Sequence, residues 1–159
     1  MGVNHILFVG LENVVPAKAA SILKNQGQGA MVAYLRKMGL FGGLLTVAVA
    51  LIAAVAPEFW LNLLFGEEYQ GYGYILQWYA AIYLVMFVSL ILRMALRTIE
   101  TTHPLFWVNL IGVLLSVLLA YPLINNFGLT GVVIGSLGIH LITLGALWFF
   151  LTRELKKRT

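Results

Sequence analysis

Residues 101–152 read TTHPLFWVNLIGVLLSVLLAYPLINNFGLTGVVIGSLGIHLITLGALWFFLT, and none of them is charged. As one straight helix this stretch would reach about 78 Å, whereas the hydrocarbon core of a bilayer is about 30 Å thick and about 20 helical residues cross it. The stretch must therefore bend. Pro122 and the sequence Asn125-Asn126-Phe127-Gly128 supply the break. Two spans are predicted, over 104–124 and 129–151, followed by a basic tail over 152–159 that carries Arg153, Lys156, Lys157 and Arg158.

The same pattern extends upstream. Residues 40–56 form an unbroken uncharged run rich in Leu, Val and Ala, which passes through Pro57 and Glu58 into the apolar 59–65. A span over 40–64 is predicted, with Pro57 and Glu58 at its interfacial end and aromatics suited to a headgroup belt. A further span is predicted over 72–92, opening among Tyr69, Tyr72, Tyr74, Trp78 and Tyr79. Residues 6–23 are apolar in outline but carry Glu12, Asn13, Pro16 and Lys18. This segment is either a fifth span with its polar face turned into a bundle or a helix lying at the interface.

Composition agrees. Of 159 residues, 61% are hydrophobic and 10% are charged, against about 25% charged in an ordinary soluble domain. A small globule cannot hide that much apolar surface, so a soluble enzyme, a disordered tail and a nucleic-acid module are poor readings. With no cysteine, thiol catalysis, disulfides and Cys-ligated metals are excluded. The expected fold is an all-α integral membrane bundle of four or five helices.

Charge sets the expected topology. Lys24, Arg36 and Lys37 lie in one linker, Glu58, Glu67 and Glu68 in the next, and Arg93 and Arg97 with Glu100 in the third. The loop over 125–128 is uncharged and the tail is basic again. Basic and non-basic loops alternate, as the positive-inside rule requires of a multi-pass chain with a cytoplasmic C-terminus. The first residues, Met1-Gly2-Val3-Asn4-His5, have neither a basic n-region nor a cleavage motif, so no removable signal peptide is expected.

No catalytic constellation emerges. His5, His103 and His140 fall on different segments without metal-ligand spacing, and no cofactor motif is present. Glu67-Glu68 reads as a solvated loop. Gly27-Gln28-Gly29 lacks the Lys-Ser/Thr of a P-loop. Gly131 and Gly135, with Gly138 beyond, form a small-residue stripe that lets helices approach closely, within the chain or between two copies. Arg93 and Arg97 stand one turn apart. They are read either as topology determinants that snorkel to lipid phosphate or as a cationic lining for an anionic substrate such as a lipid diphosphate. Lys18, Arg93, Arg97 and His140 are the cavity candidates. Gln77, Ser89, Asn109, Ser116 and Thr143 are polar groups expected to bond between helices or to face a cavity.

Several stretches are similar to one family. Leu64-Phe65-Gly66-Glu67-Glu68-Tyr69 followed by Ile75-Leu76 resembles a junction of polysaccharide flippases, and residues 93–104 resemble their next cytoplasmic loop. Tyr121-Pro122-Leu123-Ile124 and Phe127-Gly128-Leu129-Thr130-Gly131-Val132-Val133-Ile134-Gly135 resemble a hairpin near the end of those proteins, and Pro16-Ala17-Lys18-Ala19-Ala20 with Tyr34-Leu35-Arg36-Lys37 fits the helix and loop before it. The resemblance is to the polysaccharide biosynthesis and export flippases, of O-antigen and teichoic-acid exporter type, in the multidrug/oligosaccharidyl-lipid/polysaccharide superfamily. It implies transport of lipid-linked oligosaccharide or lipopolysaccharide precursors across the cell inner membrane, by rocking of two lobes driven by a substrate gradient or a coupled ion. Such proteins have twelve to fourteen helices. This chain is similar to the C-terminal part alone, so a second chain supplying the other lobe, or a homo-oligomer, is the expected partner besides membrane lipid and the glycan. The alternatives are a non-transporting membrane scaffold or accessory subunit and, more weakly, a membrane-embedded glycan enzyme.

Overall fold

A computed structural model describes residues 2–157, with side chains from His5 onward; Met1 and the Arg158 of the basic tail lie outside the described residues. Four α-helices run in order: α1 (Gly2–Val55), α2 (Pro57–Phe65), α3 (Gly73–Thr98) and α4 (His103–Lys156), with a 3₁₀ turn over Glu67–Tyr69. α1, α3 and α4 are long and apolar enough to cross a membrane.

The two longest helices are hairpins. In α1, Gly27 takes φ 85° and ψ 180°, a backbone state open to glycine because it has no Cβ. The chain reverses there. The Lys18 ammonium lies 5.8 Å from the centroid of the Tyr34 ring, although a straight helix would hold those residues about 24 Å apart. α4 reverses in the same way at Gly128, φ 56° and ψ −136°. A Cβ on Gly112 would sit 3.4 Å from Thr143 Cγ2 in the opposite arm. The arms are thus 2–26 and 28–55 in α1, and 103–127 and 129–156 in α4. Asn126 donates its side-chain amide to the Pro122 carbonyl at 2.7 Å, one turn back in the same arm.

The segment 24–37, read above as a linker, is helical on both sides of Gly27. Gln28 to Lys37 extend the second arm, so the helix of the strongest apolar run begins before residue 40 and ends at Val55. Pro57 separates it from α2, because proline has no N–H to continue the ladder. The freed carbonyls are recovered from outside: Trp60 Nε1 donates to Ile52 O at 2.9 Å, and Gln77 Nε2 to Ala54 O at 3.3 Å. Glu58 then closes the corner. Its carboxylate accepts from the backbone N–H groups of Gly71 at 3.2 Å and Gly73 at 2.9 Å, capping the positive end of α3.

α3 lies between the two hairpins and packs on both. Its buried face carries Phe87, Leu90, Leu92, Met94, Ala95 and Leu96, joined by Phe8, Val15, Met31 and Leu35 from α1 and by Val108, Leu147 and Leu151 from α4. Phe87 enters the seam of the α1 hairpin. It lies against Gly42 and Gly43 of one arm and tilts 48° against the Phe8 ring of the other, centroids 5.7 Å apart. At its far end α3 stops in a Schellman turn, with Thr101 N–H donating to Leu96 O at 3.0 Å and Glu100 N–H to Arg97 O at 3.0 Å. Glu100 supplies the left-handed residue there, φ 59°.

This architecture sorts charge by end. The Gly27 turn, the α3–α4 loop and the end of α4 share one end, with Lys24, Arg97 and Arg153 near it. The corner over 56–73 and the Gly128 turn share the other, where Leu129 approaches Phe65 and Tyr72 across a common cleft.

Candidate functional site

The candidate residues separate once the helices are in place. Arg93 and Arg97 occupy successive turns of α3 but face different hairpins. Arg97 Nη1 lies 2.8 Å from Glu12 Oε1 on the first arm of α1, an ion pair in which both side chains keep partial solvent access. Arg93 Nη1 turns instead to α4 and donates to Asn109 Oδ1 at 2.7 Å. Lys18 stays within the α1 hairpin over Tyr34, an exposed cation–π contact. It is not among the residues that line the α4 groove.

That groove runs along the seam between the two arms of α4 and encloses about 600 Å³. Arg93, Asn109, His140 and Thr143 stand together in its lining, and Leu123, Ile124, Gly131 and Val132 line it toward the Gly128 turn. Between them are mostly Val, Leu, Ile and Gly, with the hydroxyls of Ser116 and Ser136. Two of the polar groups are committed locally. Ser116 Oγ donates to Gly112 O at 2.8 Å and Thr143 Oγ1 to His140 O at 3.0 Å, as hydroxyls within helices commonly do. The guanidinium of Arg93 has five donors in a planar fork, and the bond to Asn109 uses one of them. The groove is therefore an apolar trough with one cationic station, of the size of ordinary ligand sites.

Glycine shapes the trough. A Cβ on Gly131 would strike the Leu123 carbonyl oxygen, and one on Gly135 would come within 2.5 Å of Leu123 Cδ1. These two glycines let the arms close at the turn. Gly138 differs: a Cβ there meets nothing within 4 Å.

Of the polar residues singled out in the sequence, Asn109, Ser116 and Thr143 line the groove with Arg93 and His140. Gln77 and Ser89 do not; each donates to a backbone carbonyl elsewhere. Ser136 was missed, because a lone serine among glycines gives no signal until the hairpin places it across from Ser116. Among the described residues no three His, Asp or Glu side chains gather as a metal site would require.

A second cleft, of about 720 Å³, opens at the other end between α2, the 3₁₀ turn and the start of α3. Trp60 and Phe65, which suit a headgroup belt by sequence, line this cleft together with Tyr69, Tyr72 and Tyr79 of the next span.

Residues 23–122 match the family model described as MatE. The match takes in the second arm of α1, the corner, α3 and the first arm of α4 almost to its turn. No curated protein and no solved structure matches the chain. Proteins of the matching family are transporters rather than enzymes, which agrees with three helices long and apolar enough to cross a membrane. The chain is a multi-pass membrane protein and belongs to the MatE family of the multidrug/oligosaccharidyl-lipid/polysaccharide superfamily.

Proposed function

We propose that the chain is part of a flippase that moves lipid-linked oligosaccharide or polysaccharide precursors across the cytoplasmic membrane, and that the α4 groove is its share of the substrate path. The observation that carries this reading is Arg93, a guanidinium set in the wall of an apolar trough. A lipid-linked sugar has an apolar chain and an anionic diphosphate. The trough suits the first, and the fork of Arg93 suits the second. His140, beside it in the lining, is a further polar contact for the same group.

In this reading the four hairpin arms and α3 each cross the bilayer. The arms 28–55 and 129–156 are longer than the roughly 20 residues a crossing needs. Their surplus carries Arg36 and Lys37 in one and Arg153 and Lys156 in the other. By the positive-inside rule those cations favour a cytoplasmic Gly27 turn and C-terminus, with Glu58, Glu67 and Glu68 on the opposite side. The trough is open along one flank, and the α4 side chains Val117, Leu118 and Tyr121 are at least 69% exposed. A second lobe or another copy of the chain closing that flank would complete a cavity, and rocking between the two would give each leaflet access in turn.

The test is leaflet distribution of lipid-linked glycan in cells that depend on this chain. Arg93→Gln removes the charge and, being shorter by two atoms, withdraws the donor from Asn109. Loss of a charge-assisted contact of about 1.5–3 kcal/mol predicts a fall in translocation of about tenfold or more. Arg97→Gln, whose partner is Glu12, should cost much less. An unchanged leaflet distribution in the Arg93 variant, or on deletion of the chain, overturns the reading.

A further inference from the structure

The cleft at the acidic end has a composition that the α4 groove lacks. Trp60, Tyr69, Tyr72 and Tyr79 share its lining with one acidic side chain, Glu68. Trp60 is held by its indole N–H on the Ile52 carbonyl at 2.9 Å, and Tyr69 is braced by Phe65, ring centroids 5.5 Å apart. Two of the walls are thus fixed before any ligand arrives. Glu58 is committed to capping α3, whereas Glu68 has no ion pair or hydrogen bond among the described residues. No Lys or Arg occurs anywhere from residue 38 to residue 92. Leu64 and Leu76 continue the lining as an apolar wall.

Aromatic faces attract cations through the ring quadrupole, most strongly where water is partly excluded. A free carboxylate beside them adds to the attraction, and a surface without bases offers an anion nothing in return. The apolar wall beside the aromatic group calls for a ligand that carries hydrocarbon as well as a cation. We propose that this cleft is a binding site for a phospholipid with an ammonium headgroup, its nitrogen among Tyr69, Tyr72 and Glu68 and its acyl chain along Leu64 and Leu76. The site is separate from the α4 groove, and it stands or falls independently of transport.

Native mass spectrometry of the full chain, released from detergent micelles holding equal amounts of phosphatidylcholine, phosphatidylglycerol and diacylglycerol, tests the proposal. Phosphatidylcholine should be retained about three- to tenfold over each of the others, the ratio a cation–π contact confers. Glu68→Gln and Tyr72→Leu should each erase most of that preference, while Tyr72→Phe, which keeps the ring, should preserve it. Glu68 is exposed and has no ion pair among the described residues, so its variant should fold, and the lipid preference of the unaltered chain is a readout that needs no variant. Equal retention of phosphatidylglycerol would overturn the proposal, since no cation would then be recognised. Equal retention of diacylglycerol would reduce the cleft to a hydrocarbon groove and overturn it as well. Free choline bound as tightly as the lipid would overturn the assignment of a lipid.

Discussion

The molecule contains two helical hairpins made by the same device and finished differently. α1 and α4 each double back at one glycine of positive φ, Gly27 and Gly128, and each presents a seam lined by small residues. In α1 the seam is filled: Phe87 of α3 occupies the space over Gly42 and Gly43, and Phe8 closes on its ring. In α4 the seam is a trough of about 600 Å³, entered from α3 only near Arg93 and Asn109. Glycine in a membrane helix provides space, and which element takes that space separates a packed seam from an open groove. α1 is held as scaffold. α4 keeps a groove that none of the described residues fills.

The largest effect should come from the α4 turn. Gly131→Val puts a side chain onto the Leu123 carbonyl, a backbone atom that cannot step aside, and a loss of about 4 kcal/mol or more is expected. Gly138→Val, in the same stripe with nothing within 4 Å, should remain within about 1 kcal/mol. Denaturant titration of the detergent-solubilised chain measures both. Equal losses would mean that the stripe acts as a whole, through contacts outside this chain.

Filling the seams sharpens the contrast. A Cβ on Gly42 would meet the Phe87 ring at 2.8 Å and Leu11 Cδ1 at 3.0 Å, whereas one on Gly112 meets Thr143 Cγ2 at 3.4 Å. Overpacking a filled site costs about 1–3 kcal/mol, so Gly42→Ala should destabilise by that amount and Gly112→Ala by much less. Gly112→Ala narrows the trough, so its effect should appear in translocation instead of unfolding. Stability loss at Gly112 as large as at Gly42 would show that the α4 seam is packed as tightly as the α1 seam.

The turns themselves are the like-for-like comparison. A Cβ at Gly27 or at Gly128 meets nothing within 4 Å, so only backbone conformation resists a side chain there. Gly27→Ala and Gly128→Ala should each cost about 1–3 kcal/mol in unfolding free energy. A clearly greater loss at one turn would mean that tertiary contacts, and not the local backbone, hold that hairpin shut.

Much of this fold was legible before the structure, and the reason is local chemistry. The Asn125-to-Gly128 stretch interrupts an apolar run with residues of strong backbone preference, so a break near it could be expected. The span read over 40–64 instead divides at Pro57, and Pro122, read as part of the second break, lies inside the helix. Gly27 was harder. It sits among Lys24, Gln26, Gln28 and Arg36, a polar stretch that reads as a linker, whereas both of its flanks are helix and Met31 and Leu35 of the second flank join the core. The site was legible residue by residue but not as an arrangement. Arg93 and Arg97 share a face by spacing alone; that one turns to α4 and the other to α1 depends on which helix lies on each side of α3. Long-range partners such as Glu12 and Asn109 have no signature in the local pattern.

The smallest effect tests where the α1–α3 seam ends relative to the membrane. Arg97 and Glu12 pair at 2.8 Å, with side chains 45% and 31% exposed. An ion pair with that much access to solvent is worth about 0.2–1 kcal/mol. A long arginine near a helix end also keeps its charge in the interface while its stem packs on the protein. Glu12→Gln should therefore cost under about 1 kcal/mol, and a double-mutant cycle with Arg97→Gln should return a coupling of the same size. The outcome discriminates because a pair removed from water behaves otherwise: deleting one partner of a buried pair costs about 3–5 kcal/mol, since the remaining charge is stranded. A coupling of that size would place Arg97 within the hydrocarbon, and with it the last turn of α3. The α1 hairpin would then lie deeper in the bilayer than its basic turn implies, and the filled seam would owe its stability to charge as well as to Phe87.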